Sequence, residues 1–329
     1  MTSTVPLHLL LGAAWLALAL CCQAVGALIV GPSTVRKVAA LACTLVTAVP
    51  AAFLPPEFPF QRAVLWLYLA LMFMRMVDVV SEAEKPVGER LALALLAFDP
   101  RDMTDVKPSV DLRAGARVIG WGAVFATSLW FEYMRLDTLP VVHREVALLW
   151  ACWLLGALAV YALMEVVGAT GQALFALVGL RVQPFQRDPI LSRSLVEFWG
   201  KRWNREVGRW LHRWCFLPFA RRGWPKLGVA WSFVFSGLFH AISLYAALGW
   251  RGALPMGAFF LVQGGLVATE RLIGVARWPA LSARVWTIGT FILTMPLFVD
   301  PALATLALSP LGAAVWGDVS ARPQGFGPN

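Results

Sequence analysis

Long apolar stretches constrain this chain more than any other feature. A helix of about 20 apolar residues crosses the hydrocarbon layer of a membrane, where the backbone must satisfy its own hydrogen bonds. The sequence predicts nine such spans, at residues 6–30, 38–54, 63–80, 117–134, 145–168, 228–249, 253–273, 285–300 and 301–317. The last two are expected either as separate spans or as a re-entrant pair, because only Asp300 and Pro301 divide them.

We therefore expect an all-α, polytopic integral membrane protein with about eight to nine transmembrane helices. These would form one domain at residues 1–317, and the Gly/Pro-rich tail at 318–329 is expected to be disordered. The first stretch resembles a signal peptide, but no Lys or Arg precedes it and it is too long, so it is predicted to be a retained span.

The charge distribution predicts orientation and argues against nucleic-acid binding. Charged residues make up 14% of the chain, against about 25% in soluble domains, and the net charge of +9 comes from loops between apolar stretches. Residues 181–226 hold eleven basic and three acidic side chains, which predicts a cytoplasmic segment. Abundant Ala, Leu and Arg with only five Lys suggest a bacterial inner membrane. The five cysteines show no metal-ligand spacing, so no metal or bound cofactor is predicted.

Residues 194–214 have the pattern of a helix lying in the membrane interface. Tryptophan and other apolar residues recur every three or four positions, and Lys and Arg occupy the opposite face. Gly200, Asn204 and Gly208 are spaced by four and are predicted to stack in a row. Asn204 is the only asparagine apart from the terminal Asn329, which favours a required amide, whereas tight helix packing is the structural alternative.

The sixth predicted span carries a second polar pattern. Its small and polar side chains share one stripe of the helix and predict the lining of an inward polar chamber, with Ser236, Gly237, His240 and Ser243 as its candidates. His240 lies near the middle of the span, where an ionisable group is a functional candidate by default. A neutral histidine bonded to another helix is the alternative. Without a nucleophile motif, direct transfer between two bound substrates is favoured over a covalent intermediate.

These two regions resemble the membrane-bound O-acyltransferase superfamily, specifically its wax-synthase-like branch. Members carry P-x-x-x-x-P-x-x-x-x-S-L-x-x-F-W-G-R-R-W-N and, downstream, S-G-x-x-H. Here the first motif runs from Pro184 to Asn204 and the second from Ser236 to His240, within a signature region at 184–245. The match is specific over about 60 residues; elsewhere only the multi-span character agrees.

The resemblance implies a catalytic His240 with Asn204 as its partner, acyl-CoA as co-substrate, and a long-chain alcohol, sterol-like or natural-product alcohol as acceptor. We predict the acyl-CoA mouth at Trp199, Lys201, Arg202 and Trp203. The basic residues nearby are also suited to anionic headgroups of membrane lipid. The oligomeric state is not predicted.

Two residues depart from the family pattern, namely Lys201 in place of Arg and Ala241 in place of a common Glu. Glu165 or Glu270 is a candidate to replace that missing acid. A transporter, a lipid-binding protein and an inactive family member remain alternatives. Two charge pairs are also predicted along helices, Arg75 with Asp78 and Glu270 with Arg271.

Overall fold

The computed structural model describes residues 7–48, 59–134 and 141–298. Its helices are α1 (Leu7–Ile29), α2 (Thr34–Val46), α3 (Pro59–Ser81), α4 (Val87–Leu95), α5 (Leu112–Met134), α6 (Val141–Leu177), α7 (Leu195–Glu197), α8 (Arg205–Leu211), α9 (Leu217–Ala220), α10 (Pro225–Leu248), α11 (Trp250–Ile273) and α12 (Ala280–Phe298). The predicted span at 301–317 and the predicted tail at 318–329 lie outside the described residues.

Short strands and helical turns connect several of these helices. Strands β1 (Thr104–Asp105) and β2 (Leu180–Arg181) form an antiparallel pair. Two π-helical turns flank α8, at Phe198–Arg202 and His212–Phe216. Three 3-10 turns occur at Pro100–Asp102, Pro189–Leu191 and Val275–Arg277.

Within the described residues, six helices are long and apolar enough to cross a membrane: α1, α3, α6, α10, α11 and α12. This supports the all-α, polytopic class but not the count of eight or nine. The predicted span at 38–54 overlaps α2, which has 13 residues. Such a helix is roughly 20 Å long, shorter than the hydrocarbon layer of about 30 Å. Residues 49–54 of this predicted span lie outside the described residues. Helix α5, at the predicted span 117–134, has 23 residues but is not among the six.

Two arginines close the C-terminal end of α1. Arg36 Nε donates to the carbonyl of Ile29 at 2.7 Å, and Arg90 Nη1 donates to the carbonyl of Val30 at 2.6 Å. The last carbonyls of a helix lack partners inside it and carry partial negative charge, so cations stabilise this end. These contacts join α1 to α2 and α4, next to a core that contains Met76 of α3.

Helices α10 and α11 pack closely through glycines. A Cβ atom added at Gly237 would lie 3.2 Å from the carbonyl oxygen of Gly257 and 3.2 Å from Cβ of Phe260. At Gly264, an added Cβ would lie 3.0 Å from the Phe233 side chain. Small residues allow backbones to approach in this way inside a membrane. Helices α10 and α11 therefore pack closely against each other.

Candidate active site

Residues 194–216, called here the wall segment, are attached at their start to α11. Ser194 caps α7 by accepting from the Glu197 N–H at 2.9 Å. Glu270 of α11 accepts from the N–H groups of Leu195, at 2.6 Å, and Val196, at 3.2 Å. The predicted Glu270–Arg271 pair is therefore wrong: unpaired N–H groups at a buried helix start bind the carboxylate instead. Because Glu270 is used in this way, the structure does not support it as the substitute for the Glu that is missing at position 241.

The prediction of one continuous interfacial helix over 194–214 is also wrong. After the first π-helical turn, Trp203 is extended, with ψ 134°, and Asn204 adopts a left-handed conformation, with φ 34° and ψ 66°. Gly200, Asn204 and Gly208 therefore do not stack on one helix face. Asparagine tolerates this conformation better than most residues, which gives it a structural use here.

Local hydrogen bonds hold this break in place. The Asn204 N–H donates to Gln186 Oε1 at 3.0 Å, and Asn204 Oδ1 caps α8 by accepting from the Val207 N–H at 3.3 Å. Two backbone hydrogen bonds join residues 185–187 to residues 202–205. The Arg187 N–H donates to the Arg202 carbonyl and the Arg205 N–H donates to the Phe185 carbonyl, each at 2.9 Å. The break is thus determined in part by residues 185–187, which lie outside the wall segment and precede its first residue by 7 to 9 positions.

The wall segment, α10 and α11 together line a cavity of about 750 Å³. Its aromatic lining consists of Trp199, Trp203, Phe216, Phe233 and Phe260. Its basic lining consists of Arg187, Lys201, Arg205, Arg209, Arg213 and Arg271. No acidic side chain is among the residues that line it within the described chain. Such a cavity suits a ligand with an apolar part and an anionic part.

The basic lining is only partly neutralised. Arg209 binds Asp102 at 2.8 Å and also pairs with Glu206, and Arg213 binds Asp78 at 3.2 Å. The pKa of Arg205 is lowered by burial and then by the neighbouring charges of Arg209 and Arg187. Within the described residues, its guanidinium donates two long hydrogen bonds, to the Gln183 side chain at 3.5 Å and to the Pro184 carbonyl at 3.4 Å. A bound anion would offset the positive charge of Arg205 and its basic neighbours.

Three of the four residues predicted to form an acyl-CoA mouth lie on this cavity. Trp199, Lys201 and Trp203 line it. Arg202 does not: its guanidinium binds Glu197 at 2.7 Å and the carbonyls of Arg187 and Asp188. That arrangement fixes the turn that presents the other three side chains.

The predicted chamber residues of α10 separate into different environments. Ser236 lines the cavity. Gly237 lies at the contact with α11, and buried Ser243 donates to the Phe239 carbonyl at 3.1 Å. Neither Gly237 nor Ser243 is among the residues that line this cavity.

His240 lies directly behind the cavity lining. Its Nδ1 is 2.8 Å from the carbonyl oxygen of Ser236, and its ring stacks on Phe260 with centroids 4.5 Å apart. A carbonyl oxygen only accepts, so Nδ1 carries the proton and the lone pair of the neutral ring lies on Nε2. His240 thus touches two residues of the lining, although it is not itself part of it. Both His240 and Asn204 are described, and no hydrogen bond joins them.

An amide that the sequence interpretation missed lies on the other side of the aromatic lining. Gln263 of α11 accepts from Trp199 Nε1 at 3.2 Å and donates to Thr294 Oγ1 at 2.8 Å. A single amide inside an otherwise apolar span was the available signal, by the same reasoning that singled out His240.

An ion network anchors the wall segment to α3. Arg75 contacts Glu206 at 3.3 Å and Asp99 at 3.9 Å, whereas Asp78 binds Arg101 at 2.7 Å and Arg213. The predicted Arg75–Asp78 pair is therefore wrong, because each side chain has partners from distant parts of the chain. Burial opposes ionisation of Asp99, but hydrogen bonds from Arg101 outweigh it and hold the pKa of that carboxyl below its usual value.

Glu165 is also occupied. It pairs with Arg117 of α5, which in turn donates to Gln172 of α6 at 2.8 Å. The acid therefore ties the two helices of a hairpin together. This pairing does not support Glu165 as the replacement for the acid missing at Ala241.

Comparison with known proteins identifies the family of this chain. The family model described as membrane bound O-acyl transferase matches residues 182–262, which contain the whole wall segment and all of α10. An acyl-CoA–sterol O-acyltransferase 1 of Arabidopsis thaliana is 30% identical over 254 residues, which is 71% of each chain. The protein belongs to the membrane-bound O-acyltransferase family, in its wax-synthase-like branch.

Other relatives are long-chain-alcohol acyltransferases. The probable long-chain-alcohol O-fatty-acyltransferase 7 of Arabidopsis thaliana is 30% identical over 164 residues, which is 44% of this chain and 47% of that protein. The long-chain-alcohol O-fatty-acyltransferase of Simmondsia chinensis is 30% identical over 106 residues, 30% of each chain. The chain thus spans about half the length of the first of these. The relatives named here are plant proteins, so they give no support to the predicted bacterial inner membrane.

Proposed function

We propose that the protein is an integral membrane O-acyltransferase that moves an acyl group from acyl-CoA to the hydroxyl of a lipophilic acceptor. The observation that carries this is the cavity, whose basic lining suits phosphate groups and whose lining also includes Ser236 and Phe260, two residues that contact His240. The names of the plant relatives favour a long-chain alcohol or a sterol as acceptor.

The proposed reaction uses the lone pair on Nε2 of His240. Nε2 of His240 accepts the proton of the acceptor hydroxyl while the hydroxyl oxygen attacks the thioester carbonyl carbon. The carbon–sulfur bond then breaks, and the proton passes from His240 to the leaving thiolate. The products are an ester and free CoA, and no covalent enzyme intermediate or metal takes part.

The donor is assigned to the side of the cavity formed by the wall segment. Lys201 and Arg205 meet the phosphates of CoA, and Trp199 and Trp203 contact its apolar parts. The proposal keeps the membrane orientation predicted from the basic loops, in which residues 181–226 face the cytoplasm, where acyl-CoA is made. Anionic lipid headgroups remain the competing ligand for the same basic residues.

Asn204 is proposed as the partner of His240 in positioning the reacting groups. Its Oδ1 caps α8, so the proposal assigns the substrate contact to the amide nitrogen Nδ2. Charge that develops on the thioester oxygen would be stabilised by such a donor.

The test is acyl transfer in membranes that contain the protein, with labelled acetyl-, octanoyl- and palmitoyl-CoA and a panel of fatty alcohols and sterols. Ester and free CoA are both measured. We expect transfer by the native protein and a loss of at least about a hundredfold in His240→Ala, as is typical when a general base is removed. Ile242→Ala, which truncates an exposed side chain of the same helix, should retain activity.

Equal activity of His240→Ala and the native protein, at equal levels in the membrane, would make His240 a structural residue. Absence of CoA release from every donor would favour a transporter or lipid-binding protein instead.

A further inference from the structure

Gln263 occupies an unusual place for an amide. It lies in α11 with none of its surface exposed, among side chains that are mostly apolar. A polar group buried in a membrane protein is costly unless it is hydrogen-bonded, and Gln263 is bonded at both ends of its amide. One end binds the indole N–H of Trp199 and the other binds the hydroxyl of Thr294 on α12.

Trp199 is the residue through which this amide reaches the cavity. Its ring is 5.8 Å from that of Phe260, 5.9 Å from that of Phe233 and 5.7 Å from that of Phe291, measured between centroids. Trp199, Phe233 and Phe260 all line the cavity, and Phe260 stacks on His240. The orientation of one indole therefore affects the aromatic surface beside the proposed general base.

We propose that Gln263 is a positioning residue that sets the shape of the aromatic part of the cavity by holding Trp199, and thereby determines which acyl chain is accepted. This rests on the proposed function. Without its acceptor, the indole N–H would be left unpaired in an apolar surrounding, and the ring would turn toward another partner. The cavity beside His240 would then change shape, so the preferred chain would lose its fit while the chemistry itself remained.

The test is a double-mutant cycle. Gln263→Leu removes both hydrogen bonds at similar volume, and Trp199→Phe keeps an aromatic ring but removes its N–H. The values of kcat and KM are measured with octanoyl- and palmitoyl-CoA and one alcohol. We expect each single variant to change the ratio of kcat/KM between the two donors by about tenfold, chiefly through KM. The double variant should show no further change, because both substitutions break the same bond.

Two variants complete the comparison. Thr294→Val removes the second bond of Gln263 and should shift the ratio in the same direction by a smaller factor; it also serves if Gln263→Leu does not fold. Thr269→Val, an exposed threonine of α11 that binds only its own helix, should leave the ratio unchanged.

Additive effects of Gln263→Leu and Trp199→Phe would overturn the inference. So would an equal loss of kcat with both donors at an unchanged ratio, since a purely structural role predicts that pattern. If the native protein makes no ester, the proposed function fails, and the inference is decided by heat stabilisation of the purified protein with each donor. It survives if the variants alter the preference between donors and falls if they do not, or if neither donor stabilises the native protein.

Discussion

The wall segment and the α10–α11 pair face each other across the cavity, yet they are held by opposite means. The wall segment is irregular, and polar contacts fix it: Glu270 at its start, Gln263 at Trp199 and Asp78 at its end. The helix pair is regular, and the absence of side chains at Gly237 and Gly257 lets it close. One side should therefore respond to changes in charge and the other to changes in size.

The largest effect should follow removal of Asp78, which is 1% exposed. It binds Arg101, Arg213 and the indole N–H of Trp214, so Asp78→Ala removes the shared acceptor of three donors at once, although Arg101 keeps Asp99 and Glu82 as partners. We expect a loss of about 3–5 kcal/mol in the free energy of unfolding, measured by denaturant titration in detergent.

The matched control for Asp78 is Glu89→Ala, which breaks an exposed pair with Lys85. Such a pair is worth less than about 1 kcal/mol. Equal losses in the two variants would mean that charge does not hold the wall segment.

The next effect concerns size at Ala241, whose Cβ would be 3.7 Å from a Cβ added at Gly257. Ala241→Glu restores the residue common in the family but forces a larger, charged side chain toward α11. We expect a loss of at least about 1–3 kcal/mol in thermal or denaturant unfolding and no gain in acyl transfer.

Ala241→Ser, which adds one atom, should be nearly neutral in both assays. Higher turnover of Ala241→Glu at unchanged stability would instead support the interpretation that this protein is an impaired family member.

A smaller effect is expected at Asn204, where conformation and chemistry can be separated. Asn204→Ala loses the cap of α8 and disfavours the left-handed backbone, at about 1–2 kcal/mol. Asn204→Asp keeps a cap and tolerates the conformation, so its unfolding midpoint should stay near that of the native protein. If Nδ2 contacts substrate, the Asp variant nevertheless loses acyl transfer; retained activity would leave Asn204 with its structural role alone.

The smallest expected effect is a loss of stability at acidic pH. Burial opposes ionisation of Glu82 and Asp99, but hydrogen bonds from basic neighbours hold the pKa of each below its usual value. Their stabilisation is therefore complete above the ordinary carboxyl pKa of about 4 and is lost as the pH falls through the lowered values. The midpoint of thermal unfolding should decline over that range, and Asp99→Asn should flatten the decline; an unchanged slope would exclude Asp99 as a source.

The sequence predicted features that are set within a single helix better than contacts between distant parts of the chain. Hydropathy identified the six long apolar helices, because composition and length alone decide which helices are apolar enough to cross a membrane. The stripe on α10 predicted Ser236, Gly237, His240 and Ser243 for a chamber lining, and of these four only Ser236 lines the cavity described here. The pairings of Arg75, Asp78 and Glu270 could not be predicted in the same way. Their partners lie 22 to 136 positions away, so their choice depends on how the helices assemble.

The break at Trp203–Asn204 shows the same limit at smaller scale. The apolar positions around it keep a helical period, which predicted a continuous helix. Binding of the Asn204 N–H by Gln186 and pairing of Arg205 with Phe185 outweigh that period, and neither contact is visible from the pattern of the segment itself.

The bond between Glu270 and the start of the wall segment has a consequence for biosynthesis. A ribosome releases Leu195 and Val196 some 75 residues before it releases the acid that binds them. During that interval α10 must enter the membrane and α11 must follow, while the wall segment waits without its anchor. The cavity is thus completed only after α11 has been synthesised, and a nascent chain arrested after α10 would carry both signature motifs without a finished cavity.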